Sequence, residues 1–212
     1  MRSEDKVFMK KLMENTINQT QRMSNNWWNR TRKSVFNIFL IMFMIAVPCI
    51  TLSAPLKTYA ETQEYAIKAA FLYNFGKFVE WPQGSFRDAK SPFVICALGE
   101  DPLGGALDTI HGKNINGREV VIKRIESIED GEKCHILFVS ASERGNLSQI
   151  FRTVKQLSVL TVGDMKGFAG SGGIINFISA DNRIGFEINV SAAEKANLKI
   201  SSKLLKLGNI VN

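Results

Sequence analysis

"AAFLYNFGKFVEWP" (Ala69–Pro82) is the stretch on which the fold turns. It is a membrane anchor, a cofactor helix or the first core helix of a soluble domain. Ile67, Phe71, Phe75 and Phe78 recur at helical spacing and predict one apolar face, with Tyr73, Lys77 and Glu80 roughly opposite. Lys68 and Gly76 interrupt the apolar run, which argues against a membrane span. Asn74 is expected inside the apolar stripe, either satisfying a buried backbone group or helping to bind something. Pro82 holds Trp81 in extended geometry, so the helix is expected to stop there.

Working back towards the N-terminus, the chain changes character. Arg30, Arg32 and Lys33 form a basic cluster, and Val35–Val47 follows with Asn37 as its only polar residue. Pro48 breaks this run, small residues come next, and Thr58-Tyr59-Ala60 fits a small-x-small cleavage site. Basic, apolar, then small is the layout of a secretory signal, and the run is short of the roughly 20 residues a bilayer needs. Residues 1–60 are therefore expected to be a basic leader and signal peptide cut after Ala60, and 61–212 one exported domain. An uncleaved anchor extending to Leu52 is the competing reading. Cys49 is a poor lipoprotein cysteine because Pro48 precedes it. Met9, Met13 and Met23 are alternative starts.

This division changes the charge argument. The whole chain carries a net charge of +7, but residues 1–60 hold nine basic and three acidic side chains while 61–212 hold 18 and 17. The remaining net of +1 gives no electrostatic case for a nucleic-acid partner. About 152 residues make one domain with a substantial core. Export also alters the meaning of cysteine. With Cys49 gone, Cys96 in "FVICALG" and Cys134 in "KCHILFVS" remain, both in apolar runs that read as buried strands. An oxidising compartment favours a bridge between them, closing a loop worth about 4 kcal/mol by chain entropy. Two buried free thiols are the alternative.

The rest alternates. Phe93–Leu98, Val120–Ile125, Ile136–Val139 and Val159–Val162 read as strands, and Leu147–Leu157 as a helix. Pro102 suits a helix N-terminus. Ile174–Ile178 and Ile184–Ile188 flank "SADN", a hairpin signal. Ser191–Ala196 and Ser202–Leu207, the latter ending at Gly208, read as short helices. The expected fold is a single-domain layered α/β sandwich: a mostly parallel sheet with an antiparallel edge hairpin, and helices on both faces.

Catalytic signatures fail residue by residue. "GDMKGFAGSGG" (Gly163–Gly173) lacks the Gly-Lys-Ser/Thr of a P-loop and leads into strand-like "IINFIS", not the helix a dinucleotide fingerprint needs. "AGSGG" (Ala169–Gly173) resembles a nucleophile elbow, but no histidine follows Ser171. His111 and His135 have no second ligand nearby in sequence, so no metal and no cofactor is expected. The glycine-rich loop reads as a flexible connection or as a partner-contact loop exposing Asp164, Lys166 and Phe168. In "NRIGFEIN", period two puts Ile184, Phe186 and Ile188 on the core side, with Arg183 and Glu187 on the other. Those two either pair with each other or present an edge strand to a partner.

The blocks "YAIKAAFLYNFGKFVEWP", "FVICALGEDPLG", "CHILFVSASE", "LTVGDMKGFAGSGGIINF" and "NRIGFEINVSAAEKANLKISSKLLKLG", in this order, resemble the YfiR family of bacterial periplasmic proteins across nearly all of Tyr65–Val211. The resemblance implies a non-catalytic negative regulator. Such a protein binds the periplasmic domain of an inner-membrane diguanylate cyclase and keeps it inactive, lowering cyclic-di-GMP and biofilm formation. It also implies a link to redox control and to an outer-membrane lipoprotein that sequesters the repressor. Cys96 and Cys134 stand where the family's strand cysteines would stand, but the second pair of some members is missing here. A homodimer is compatible with this reading, and a periplasmic ligand-binding module, for cell-wall fragments for instance, is the alternative to it.

Overall fold

The computed structural model describes residues 56–180 and 183–211. The expected leader, with its basic cluster, apolar run and Cys49, lies outside the described residues, apart from its last five positions. A 23-residue helix, α1 (Leu56–Phe78), opens the described chain. Then come β1 (Val79–Glu80), β2 (Phe93–Leu98), α2 (Gly105–Asp108), β3 (Asn114–Ile115), β4 (Arg118–Ile125) and β5 (Ile136–Val139). They are followed by α3 (Leu147–Val154), β6 (Leu160–Gly163), β7 (Ile175–Ala180), β8 (Arg183–Asn189), α4 (Val190–Lys195), β9 (Lys199–Ile200), α5 (Ser202–Leu205) and β10 (Asn209–Val211).

Eight strands form one sheet in the order β10-β8-β7-β6-β5-β2-β4-β3. From β4 to β7 neighbours run parallel; β7 and β8 form the expected antiparallel hairpin, whose turn residues 181 and 182 lie outside the described residues. The hairpin is not itself the edge, however. β10 adds on parallel to β8 along Glu187–Asn189, so only the Arg183–Phe186 half of that strand is left open. The sequence signal for β10 is three residues after a glycine, too short to read alone.

The centre is covered on both sides, which is why its strands are uninterrupted apolar runs. Alternate residues of β2 divide between two cores. Phe93, Ile95 and Ala97 join Leu72, Phe75 and Leu107 on one face; Val94, Cys96 and Leu98 join Ile150, Val154 and Phe168 on the other. Helix α1 is rotated from its predicted orientation. Its buried stripe is Lys68, Ala69, Leu72, Phe75 and Gly76, while Ile67 is 42% exposed and Asn74 faces solvent. Treating Lys68 and Gly76 as interruptions misplaced the stripe by roughly 100° at 100° per residue. Gly76 is there for closeness: a Cβ on it would lie 2.7 Å from Ile115 Cδ1. The helix also stops before Trp81. Val79 and Glu80 leave it to pair antiparallel with Ile200 and Lys199, and Ser201 N donates to Phe78 O at 2.9 Å.

Candidate functional site

Two of the predicted contact residues, Asp164 and Glu187, lie near the end of the sheet where β6 stops. Asp164 follows β6 directly, and Asn176 and Glu187 are cross-strand partners on β7 and β8. Against them α1 presents Lys68, whose ammonium is buried yet donates to two carboxylates, Asp164 Oδ2 at 2.6 Å and Glu64 one turn earlier. Glu64 also accepts from Ser179 Oγ at 3.2 Å. Asn176 closes the network, donating through Nδ2 to Glu187 Oε2 at 3.2 Å and accepting from Met165 N at 3.2 Å. Helix, loop and hairpin are thus joined through one cation.

The electrostatics make this a structural ion cluster. Burial is the strongest single influence on Lys68 and works to lower its pKa, but the bonds to Asp164 and Glu64 outweigh it and the net shift is upward. The bond to Lys68 holds Glu64 below the usual carboxylate range, against a smaller opposing effect of burial. A lysine kept protonated in this way is no nucleophile or base near neutral pH.

The structure corrects three expectations about the predicted residues. Asp164 is not an exposed contact, because it is tied to Lys68. Phe168 is not exposed at all: it is completely buried, packed edge-on to Phe151 at 5.3 Å between ring centroids. The glycines of its loop make room for this ring. A Cβ on Gly163 would fall 2.4 Å from Phe168 Cγ, and one on Gly173 2.1 Å from Cε1. Among the described residues Arg183 and Glu187 form no ion pair, since Glu187 turns to Asn176. Lys166 and Arg183 are the two that do face solvent.

Cys96 and Cys134 are joined, with their Cα atoms 5.9 Å apart. Cys96 lies in β2, but Cys134 ends a 3-10 turn (Ile128–Lys133) and precedes β5, so the bridge pins that turn to the sheet; it does not link two strands. Next to it His135 is stacked on Phe86 (4.2 Å) and Phe93 (5.0 Å). Its Nδ1 accepts from Val94 N at 3.0 Å and its Nε2 lies 3.1 Å from Ser85 O, which only the neutral Nε2–H form satisfies. Burial, then the Arg118 charge, push its pKa down. Among the described residues no three His, Cys, Asp or Glu side chains are placed to hold a metal ion, and no helix is long and apolar enough to cross a membrane.

Sequence reasoning overlooked the switch point. After β2 the chain goes to β4 on one side and returns to β5 on the other, and open α/β sheets bind ligands at the strand ends where it reverses. Here that crevice is filled by the chain itself. Ser142 Oγ accepts from Glu100 N at 3.1 Å, and a Cβ on Gly99 would lie 2.5 Å from the same oxygen.

A family model described as YfiR/HmsC-like matches residues 65–209. No curated protein shows significant sequence similarity to the chain. Among solved structures, a conserved domain protein from Vibrio cholerae O1 biovar eltor aligns with a TM-score of 0.44 at 12% identity, over 56% of this chain and 54% of that one. The ABC domain in complex with L-Trp from Streptococcus pneumonia aligns with a TM-score of 0.42 at 10% identity, over 56% and 55%. The chain spans about half the length of each of these structures.

Proposed function

The chain belongs to the YfiR/HmsC-like family, and from that membership we propose that it is a periplasmic negative regulator of an inner-membrane diguanylate cyclase. It binds the cyclase's periplasmic domain and holds it inactive, so cyclic-di-GMP and biofilm formation fall. The family match over residues 65–209 is the observation that carries this reading. The site chemistry supports a binding role: the lysine is protonated and paired, the histidine next to the disulfide is neutral and enclosed, and the switch-point crevice is closed. Inhibition by binding requires higher affinity for the inactive cyclase than for the active one.

Residues 1–60 serve as the export signal in this reading. Cutting after Ala60 removes the first turn of α1 and leaves the Glu64–Lys68–Asp164 cluster whole. Lys166 and Arg183 supply the charged contacts to the cyclase. An outer-membrane lipoprotein that sequesters the repressor would relieve inhibition.

The test is capture from solubilised membranes with the tagged chain, without added ligand, followed by cyclic-di-GMP measurement in a deletion strain. A cyclase recovered on the wild type and reduced on Arg183→Glu/Lys166→Glu, with raised cyclic-di-GMP in the deletion strain, is the expected result. Unchanged cyclic-di-GMP after deletion refutes the proposal.

A further inference from the structure

We propose that a cleft between α3 and α4 is a binding site for a small anionic amphiphile, a molecule with one carboxylate or phosphate head on an apolar body. The cleft arises from the sheet. β6 and β7 pair only at Val162–Ile175 and Gly163–Asn176, so Thr161, paired with Leu137 of β5 on one side, has no β7 partner on the other, and residues of the glycine-rich loop line the gap. The opening has a volume of about 850 Å³, within the range of small-molecule sites.

Its lining is sorted by chemistry. Phe151, Val159 and Ile174 make an apolar floor. The titratable side chains at the cleft are Arg152, Lys155 and Lys195, all cations. Among the described residues none of the three lies within ion-pairing distance of a carboxylate. Lys68 and Arg124, in contrast, are each paired with two. Three unpaired cations facing one apolar floor is an uneven distribution for a domain of net charge near +1.

The walls are held in place. Thr161 Oγ1 accepts from Ile174 N at 3.0 Å; Asn189 donates through Nδ2 to Ala169 O and accepts from Ala192 N, each at 2.8 Å. The loop above and α4 beside the cleft are therefore anchored by the same side chain, so a ligand meets a preformed shape. A nucleic acid does not suit this lining, because it needs a long track of phosphate contacts and offers little apolar surface. A single anionic head with an apolar body matches both halves.

The test is calorimetric titration of protein purified as the cell yields it from the full-length gene. Decanoate is the probe; decan-1-ol, neutral with the same body, and inorganic phosphate are the controls. Two variants are compared with the wild type: Arg152→Gln/Lys155→Gln/Lys195→Gln, all at exposed positions, and Ser171→Trp, which places an indole at the mouth. Decanoate is expected to bind the wild type saturably and the triple variant about tenfold more weakly, with decan-1-ol unchanged between them. Ser171→Trp is expected to weaken both. Decanoate failing to bind the wild type, binding the triple variant within about twofold of it, or binding no better than phosphate would each overturn the proposal.

Discussion

The glycine-rich loop can be tested as a packing device. Gly173→Ala puts a methyl 2.1 Å from Phe168 Cε1, and Gly163→Ala puts one 2.4 Å from Cγ, at the root of the ring, which a flip of the ring about χ2 does not move. Contact distances near 3.5–4 Å are needed, so the ring must move by about 1.5 Å in a fully buried site. Overpacking of that kind costs about 3 kcal/mol, the upper end of its range. Phe168→Ala should cost about 4 kcal/mol through lost burial and the cavity left behind. The two losses should not add. Without the ring, the new methyl has space, so Phe168→Ala/Gly173→Ala should lie about 4 kcal/mol below wild type instead of about 7, a coupling of about 3 kcal/mol. Urea unfolding of the four proteins measures this directly, and Gly173→Ala should also lower Tm by about 10 °C. Additive losses, or a Gly173→Ala cost below about 0.5 kcal/mol, would refute the reasoning and return the loop to a mobile contact role.

Four further outcomes are expected. Cys96→Ala/Cys134→Ala should lose about 4 kcal/mol by urea unfolding, as expected for a bridge across 38 residues. Denatured, unreduced periplasmic protein should show no reactive thiol if residues 1–60 have been removed, and one, Cys49, if they are retained. His135 has a lowered folded pKa, so its contribution is complete above the unfolded value near pH 6.5 and declines as pH falls below it, by at most about 1.4 kcal/mol per unit. His135→Phe should flatten the urea midpoint between about pH 7.5 and 5.5. Lys68→Met should cost about 2 kcal/mol near neutral pH, discounted from the figure for fully buried pairs because Glu64 and Asp164 are partly exposed. Glu64 has a lowered pKa, so its part of that deficit is present above the unfolded value near pH 4.3 and should shrink as pH falls through it.

The central strands were legible because burial on both faces leaves a plain mark: FVICAL and ILFV could be read without any partner in view. β1, β3, β9 and β10 were not, since each is two or three residues long and exists only through its pairing. The rotation of α1 was hidden by Lys68, a charge that belongs inside because Glu64 and Asp164 meet it there. Asp164 lies 96 residues away, so no local pattern announces the contact. Phe168 misled for a related reason: glycines on both sides suggest slack, while the ring they admit comes from within the same loop.

The half-cystine of β2 has no accessible surface, and its mate has 4%. No oxidase or thiol reductant can touch sulfur so enclosed while the sheet is closed. The pairing must be made on the still-open polypeptide before the sheet closes, and afterwards it is inherited, not adjusted. Whatever tells this protein about its surroundings acts on its exterior, and the covalent state of its interior is a record of how it was born.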